Sequence, residues 1–215
     1  MIKKIEKEAK KYFESSSGCH DWSHVERVKK LALLIGKKEK ADLFVLEIAS
    51  LLHDIKRKEE MELKGSFCHA IEGEKEAKKI LDKYDISDEQ KKNICHCIRT
   101  HRYRNNDMPE TIEAKVLFDA DKLDSIGAIG LARAFLFAGS SGSCNLYTNN
   151  EKKIAKLKKD MSFTKEDSAI LEYEIKLKKI KNEMMTKTGK EMAKDRHNYM
   201  VEFIKRFWIE VKGKK

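Results

Sequence analysis

The chain has 215 residues, of which 46 are Lys or Arg and 36 are Asp or Glu, giving a formal net charge of +10. With 38% charged residues and one proline, the composition argues against a β-sandwich or a disordered chain and favours a helical domain with a real core. The five cysteines follow no disulfide spacing, and no apolar run approaches the roughly 18 to 20 residues that span a bilayer, so we expect a cytoplasmic protein without membrane segments.

The positive charge indicates anionic ligands, either nucleotides or nucleic acid. Most of the excess is lysine, and these lysines are mixed with glutamates along the chain. Such mixing is typical of solvated helix faces rather than of a dedicated nucleic-acid surface. We therefore expect a small anionic partner and keep nucleic acid as the alternative.

The first quarter of the chain predicts three helices. After a short first helix, apolar spacing indicates a second one that begins near Trp22 and has His24 in its first turn. The third, over about residues 41–54, is apolar nearly all round, which predicts a buried, central position. It ends in the adjacent pair His53 and Asp54, and both side chains are good metal ligands.

A polar connection over residues 56–65 precedes the next three predicted helices. The fourth helix has His69 in its first turn, and the fifth begins at a capping box that opens with Ser87 and runs to about His101. The sixth helix carries Asp121 late, beside its apolar face. Candidate ligands therefore recur at or near the ends of helices.

The remainder of the chain is also predicted to be helical. An apolar segment over residues 128–138 is interrupted by Arg133, which needs an acidic partner if it is buried. A loop rich in Gly and Ser follows at residues 139–143. Three further helices, the first two rich in Lys and Glu, are predicted at about residues 150–161, 165–188 and 190–212.

We predict one domain over residues 1–215, with a catalytic core over about residues 18–138 and a helical part over about residues 150–213. The sequence has no internal repeat. The alternating lysines and glutamates of residues 150–188 would also suit the surface of a homodimer.

Four residues make up the main candidate site: His24, His53, Asp54 and Asp121. A helical bundle builds metal sites by directing such residues inward from facing helices, and His69 and His101 occupy similar positions. Nitrogen and carboxylate ligands suit Mn, Fe, Zn, Ni, Co or, less well, Mg. A single histidine is more often a core or surface residue, so the hypothesis depends on the whole set.

The order and spacing of these four residues resemble the H…HD…D signature of the HD-domain metal-dependent phosphohydrolases. Other segments of the chain are similar to a bacterial and archaeal subgroup of this family that includes a (d)NTP pyrophosphohydrolase. These segments are residues 20–24, 127–133, 188–190 and 196–197. The resemblance covers nearly the whole chain. It implies an all-α fold, an HD-domain helical bundle with a helical C-terminal extension.

The resemblance also implies that the four residues ligate one divalent metal, which activates water to attack phosphorus. Asp121 rather than Asp119 or Asp124 is the ligand, because it is followed by one residue and then leucine, as in the wider family. His69 and His101 resemble the extra histidines with which some members hold either a second metal or the substrate phosphate.

A polyphosphate substrate needs positive charge beyond the metal. Four basic residues are placed to supply it: Lys56, Arg57, Arg102 and Lys122. Arg27 either contacts phosphate or pairs with a carboxylate such as Asp124, and Asp54 would double as a base. His20 either forms a hydrogen bond to a ligand residue or is a plain surface histidine.

We therefore predict a metal-dependent phosphohydrolase that cleaves a nucleotide, a (d)NTP, to the monophosphate and pyrophosphate. The alternatives within the family are a phosphomonoesterase or a phosphodiesterase, although the Gly-Tyr-Pro feature of the cyclic di-GMP branch is absent from the sequence. The alternative from another class is a non-catalytic helical protein that binds nucleic acid. It predicts binding that weakens steeply with salt and is indifferent to chelators.

Overall fold

The computed structural model describes residues 1–14, 21–63, 65–102, 107–140, 145–157, 164 and 167–214. Within these ranges the regular structure is helical and contains no strand, as the predicted all-α class requires. None of the described helices combines the length and the apolar character that a membrane span needs. The chain forms two compact units, Met1–Asp121 with Met185–Gly189, and Lys122–Met184 with Lys190–Lys215.

The helices of the first unit are α1 (Ile2–Lys10), α2 (Trp22–Glu39), α3 (Leu43–Leu52), α4 (Arg57–Glu62), α5 (His69–Leu81), α6 (Asp88–Thr100) and α7 (Ile112–Asp124), with a 3₁₀ turn at Lys11–Phe13. Helix α7 continues for three residues into the second unit. Helix α3 packs against α1, α2 and α6, while α5 packs against α6 and α4. The centre of this unit is therefore α3.

The central position of α3 follows from its sequence. Asp42 caps its N-terminus by accepting hydrogen bonds from the N–H groups of Phe44 (2.8 Å) and Val45 (3.3 Å). From Val45 to Leu52 every residue except Glu47 is buried. Burial of one Leu or Ile side chain stabilises the fold by about 1.5–3 kcal/mol. The helix is therefore held firmly, and it fixes the position of the residues that follow its C-terminal end. The predicted burial is confirmed.

The start of α6 was predicted from a capping box and that of α2 from apolar spacing, whereas the short helix α4 was not predicted. Asp21 caps α2 through the N–H of His24, and Ser87 caps α6 through the N–H of Gln90, at 3.3 and 3.2 Å. The prediction of a polar connection is wrong at Arg57–Glu62, which forms α4. Acidic residues in the first turn and a salt bridge between Arg57 and Glu60 favour this short helix.

The described helices of the second unit are α8 (Gly127–Ser140), α9 (Glu151–Ile154), α10 (Ala169–Ile175) and α11 (Lys187–Val211), with 3₁₀ turns at Ala155–Leu157 and Leu177–Asn182. The first three residues of α11 belong to the first unit. Arg133 in α8 has the acidic partner that it needs, because its Nη1 lies 2.7 Å from Oδ2 of the buried Asp124. The predicted loop at residues 139–143 begins inside α8, and its residues 141–143 lie outside the described ranges.

The prediction of two long helices over residues 150–161 and 165–188 is wrong. Helix α9 ends at Ile154, and α10 ends where Lys176 leaves helical geometry at φ −129° and ψ −62°. Lysine and glutamate have high helix propensity, but propensity is a weak guide when burial decides the path of the chain. Here the buried residues that direct it are Ile154, Ile170, Leu171, Tyr173, Leu177 and Ile180.

Gly130 is required by a close approach inside the second unit. A Cβ at this position would lie 2.2 Å from the carbonyl oxygen of Ser125. We expect Gly130→Ala to lower the free energy of unfolding by about 1–3 kcal/mol, because the backbone must move. Gly139→Ala in the same helix is the control, since its Cβ would meet nothing within 4 Å. Thermal unfolding followed by circular dichroism measures both, and equal melting temperatures would contradict this account.

Candidate metal centre

The end of α3 delivers two side chains to the interior of the first unit. His53 is fully buried and Asp54 is 5% exposed. Nδ1 of His53 lies 2.8 Å from the carbonyl oxygen of Ser50. Because a carbonyl can only accept, Nδ1 carries the proton and Nε2 keeps its lone pair for a ligand.

Helices α2 and α7 complete a first cluster around this nitrogen. Nε2 of His24 lies 3.4 Å from Nε2 of His53 and 3.4 Å from Oδ1 of Asp121. One ligand atom from each of the three residues falls within 4.8 Å of the other two. We call His24, His53 and Asp121 cluster 1.

Helices α5 and α6 supply a second cluster. Nε2 of His69 lies 3.0 Å from Oδ1 of Asp54, and Nε2 of His101 lies 3.4 Å from the same oxygen. The two imidazole nitrogens are 3.2 Å apart. Nδ1 of His101 is 2.6 Å from the carbonyl oxygen of Ile98, which directs Nε2 inward as in His53. We call Asp54, His69 and His101 cluster 2.

Asp54 faces both clusters. Its Oδ1 belongs to cluster 2, while its Oδ2 lies 3.6 Å from Nε2 of His24 and 3.7 Å from Nε2 of His53. One carboxylate therefore approaches all four imidazoles. This arrangement suits either a fourth ligand for a cation in cluster 1 or a bridge between two cations.

The donor atoms fit a divalent cation. Ligand atoms about 2.1 Å from a metal lie roughly 3.0–3.4 Å from one another at octahedral or tetrahedral angles, and the separations here are 3.0–3.7 Å. Burial lowers the pKa of His53 to about 4, although Asp54 raises it. The imidazole is thus neutral at pH 7, which is the form that binds metals.

Glu60 supports cluster 2 from behind and was missed by the sequence analysis. This buried carboxylate has Oε2 at 2.6 Å from Nδ1 of His69. Arg102 donates to both of its oxygens at 2.8 and 3.1 Å, and Arg57 donates to Oε2. Burial would raise the pKa of Glu60, but the hydrogen bond from His69 and the charges of His69 and Arg102 lower it well below its usual range. The carboxylate is therefore ionised and fixes the His69 ring.

The other predicted site residues belong to neither cluster. Lys56 forms a salt bridge with the exposed Glu59 at 2.6 Å, and Arg27 donates to Ser23 Oγ at 2.9 Å. Lys122 and Asp124 follow Asp121 in α7 but belong to the second unit. His20 lies outside the described residues. The catalytic and phosphate-binding roles of these residues stay predictions.

Comparisons with known proteins identify the family. A family model for the HD domain matches residues 21–126, a span that contains both clusters. The crystal structure of an HD-superfamily hydrolase from Bacillus thuringiensis is 30% identical, covers 98% of this chain and 96% of its own, and superposes with a TM-score of 0.74. The chain belongs to the HD-domain family of hydrolases.

Two further matches involve YpgQ of Bacillus subtilis, an uncharacterized protein. YpgQ of strain 168 is 36% identical over 204 residues, which are 93% of this chain and 88% of YpgQ. The crystal structure of YpgQ in complex with ADP is 32% identical, covers 99% of both chains and has a TM-score of 0.75. HD-domain proteins bind divalent metals, and this chain contains two clusters of His and Asp side chains that could hold one. The protein is therefore a metal-dependent phosphohydrolase.

Proposed function

We propose that this HD-domain hydrolase cleaves nucleoside triphosphates to the monophosphate and pyrophosphate. The observation that carries the proposal is the ADP bound to YpgQ, a protein similar to this chain over 99% of both lengths. ADP combines a nucleoside with a short phosphate chain, which is the chemistry expected of the substrate. The net charge of +10 favours such an anion.

In this proposal His24, His53, Asp54 and Asp121 hold one divalent cation. His69 and His101 would hold, together with Asp54, either a second cation or a phosphate oxygen of the substrate. A divalent cation in this site supplies Lewis-acid activation of water and offsets charge on the phosphate oxygens. Asp54 is the proposed base for the proton of the attacking water, because its two oxygens face both clusters.

Positive charge for the phosphate chain comes from the arginines beside cluster 2. Nη1 of Arg102 lies 2.7 Å from Nδ1 of His69, and Nη1 of Arg57 lies 3.4 Å from the same atom. Both guanidinium groups pair with the single carboxylate of Glu60, so the three side chains together carry one net positive charge. That charge sits next to the proposed site of bond cleavage, where it would stabilise negative charge on the leaving pyrophosphate.

A product analysis tests the proposal. Protein stripped with EDTA and reloaded with Mn²⁺ or Co²⁺ is given a panel of nucleoside triphosphates, and phosphate and pyrophosphate are quantified separately. We expect pyrophosphate from the reloaded protein and none from the stripped protein or from His53→Ala. His96→Ala is the matched control, because His96 lies outside both clusters and accepts the N–H of Glu110 at 3.0 Å.

The products also separate the alternatives. Phosphate without pyrophosphate would replace the proposal with a phosphatase, and turnover of a diester alone would replace it with a phosphodiesterase. Activity that survives EDTA and His53→Ala would contradict the metal centre as the site of reaction.

A further inference from the structure

A segment far along the chain contacts α7 behind its metal-ligand position. The carboxylate of Asp119 is fully buried, and it accepts hydrogen bonds from the N–H of Met185 and the N–H of Thr186, both at 2.8 Å. The hydroxyl of Thr186 donates to Asp119 Oδ2 at 2.6 Å. Residues 185–189, which we call the anchor segment, belong to the first unit together with this part of α7.

The anchor segment is shaped to receive this carboxylate. Thr186 Oγ1 accepts the N–H of Gly189 at 2.9 Å, which closes a tight turn around Asp119. A Cβ on Gly189 would lie 2.1 Å from Asp119 Oδ2 and 2.8 Å from Thr186 Oγ1. Only a residue without a side chain fits here while these hydrogen bonds persist. The fit is specific, which distinguishes it from an incidental surface contact.

A second contact ties the anchor segment to α2. The N–H of Thr188 donates to Oε1 of Glu39, the last residue of α2, at 2.7 Å. Hydrogen bonds from Thr188 lower the pKa of Glu39, which favours the ionised acceptor. The anchor segment therefore makes two hydrogen-bonded contacts, one with Glu39 of α2 and one with Asp119 of α7. Only the contact with Asp119 involves α7.

We propose that Asp119 is a positioning residue for Asp121, and that its contact with the anchor segment sets the rotation of α7 about its own axis. At 3.6 residues per turn, positions two apart point about 200° away from each other. Asp119 is thus directed into the anchor segment when Asp121 is directed toward His24. The inference rests on the proposed role of Asp121 as a metal ligand.

The sensitivity of a metal site makes this contact matter. A side-chain oxygen lies about 5–6 Å from its helix axis, so a rotation of roughly 10° displaces it by about 1 Å. Metal–ligand distances tolerate only about 0.2 Å. A helix that is free to turn by even a few degrees would lose the Asp121 ligand for part of the time.

Metal titration without substrate tests the inference. Stripped protein is titrated with Co²⁺ while the heat of binding and the visible absorption of the bound ion are recorded. We expect Asp119→Asn to weaken binding about 10–100-fold, the range seen when groups that orient a ligand are removed, and to change the Co²⁺ spectrum. Thr186→Val, which removes one hydroxyl donor, should change both in the same direction by less.

Two variants separate positioning from general loss of stability. Thr186→Ser keeps the hydroxyl and should bind Co²⁺ like the wild type. Glu39→Ala removes the other anchor of the same segment and should leave affinity and spectrum unchanged, even if its melting temperature falls. If Asp119→Asn does not fold, Thr186→Val against Thr186→Ser decides the question.

The outcomes are distinct from those that test the proposed function. Wild-type affinity and spectrum in Asp119→Asn, or an equal loss in Glu39→Ala, would overturn the positioning role alone. A wild-type protein that binds no Co²⁺ would overturn both the metal centre and this inference. Binding without nucleotide hydrolysis would overturn only the proposed substrate, because the titration contains none.

Discussion

Asp54→Asn should abolish turnover while preserving the fold. The carboxylate of Asp54 lies within 3.7 Å of imidazole nitrogens in both clusters. Asparagine has nearly the same shape but lacks the charge, and one of its oxygens is replaced by an N–H₂ donor. Metal-assisted catalysis contributes several kcal/mol, so we expect a loss of about 10³-fold or more in kcat.

The measurement combines steady-state hydrolysis with metal analysis of the purified variant. We expect bound metal to fall along with kcat, and the circular dichroism spectrum to match the wild type. Asp42→Asn is the matched control, because Asp42 caps the same helix that delivers Asp54 and asparagine caps helices equally well. If Asp54→Asn hydrolysed the substrate at the wild-type rate, Asp54 would have no role in the reaction.

Glu60→Gln should produce the second largest effect, and it should act on cluster 2. Glu60 accepts hydrogen bonds from His69, Arg57 and Arg102. A glutamine side chain has only one acceptor oxygen, and its NH₂ group would face the N–H donors of His69, Arg57 and Arg102. Because His69 then loses the partner that fixes its ring, we expect metal affinity to fall about 10–100-fold. Turnover should fall as well, since the negative charge that holds the two arginines is gone.

Glu59→Gln provides the comparison for this prediction. Glu59 precedes Glu60 in α4, but its side chain is 49% exposed and pairs with Lys56 at 2.6 Å. Exposed pairs of this kind contribute little, about 0–1 kcal/mol. A Co²⁺ titration of both variants should therefore separate them clearly. Equal affinities for Glu60→Gln and wild type would mean that His69 either needs no support or binds no metal.

The convergence of the proposed ligands was predictable because periodicity and position agree. An apolar pattern without a polar face placed α3 at the centre, apolar spacing marked the start of α2, and a capping box marked the start of α6. Histidines and aspartates at the ends of helices that share one core are well placed to converge. His24, His53 and Asp121 do lie together, and so do Asp54, His69 and His101.

The supporting groups were not predictable in the same way. Glu60 lies in a stretch of alternating charges that resembles a solvated surface, and only packing against α5 places it behind His69. Asp119 differs from Asp121 and Asp124 only by the side of α7 that it occupies, and its partner lies 67 positions further along the chain. A hydrogen bond between residues so far apart in the chain leaves no periodic pattern in the sequence. The spacing of Thr186 and Gly189 around a turn would have been the signal to look for.

The anchor segment has a consequence for how the protein is made. The HD-domain match ends at residue 126, yet the compact unit that holds both clusters also includes Met185–Gly189. Many chains fold their N-terminal domain first, while the remainder is still being synthesised. Here the hydrogen bonds from Met185 and Thr186 to Asp119 cannot form until residue 186 has left the ribosome, after residues 122–184 of the second unit have been synthesised. A nascent chain that ends before that point carries every proposed metal ligand but lacks the contact that holds α7, so we expect it to bind metal more weakly than the complete chain, as we expect of Asp119→Asn.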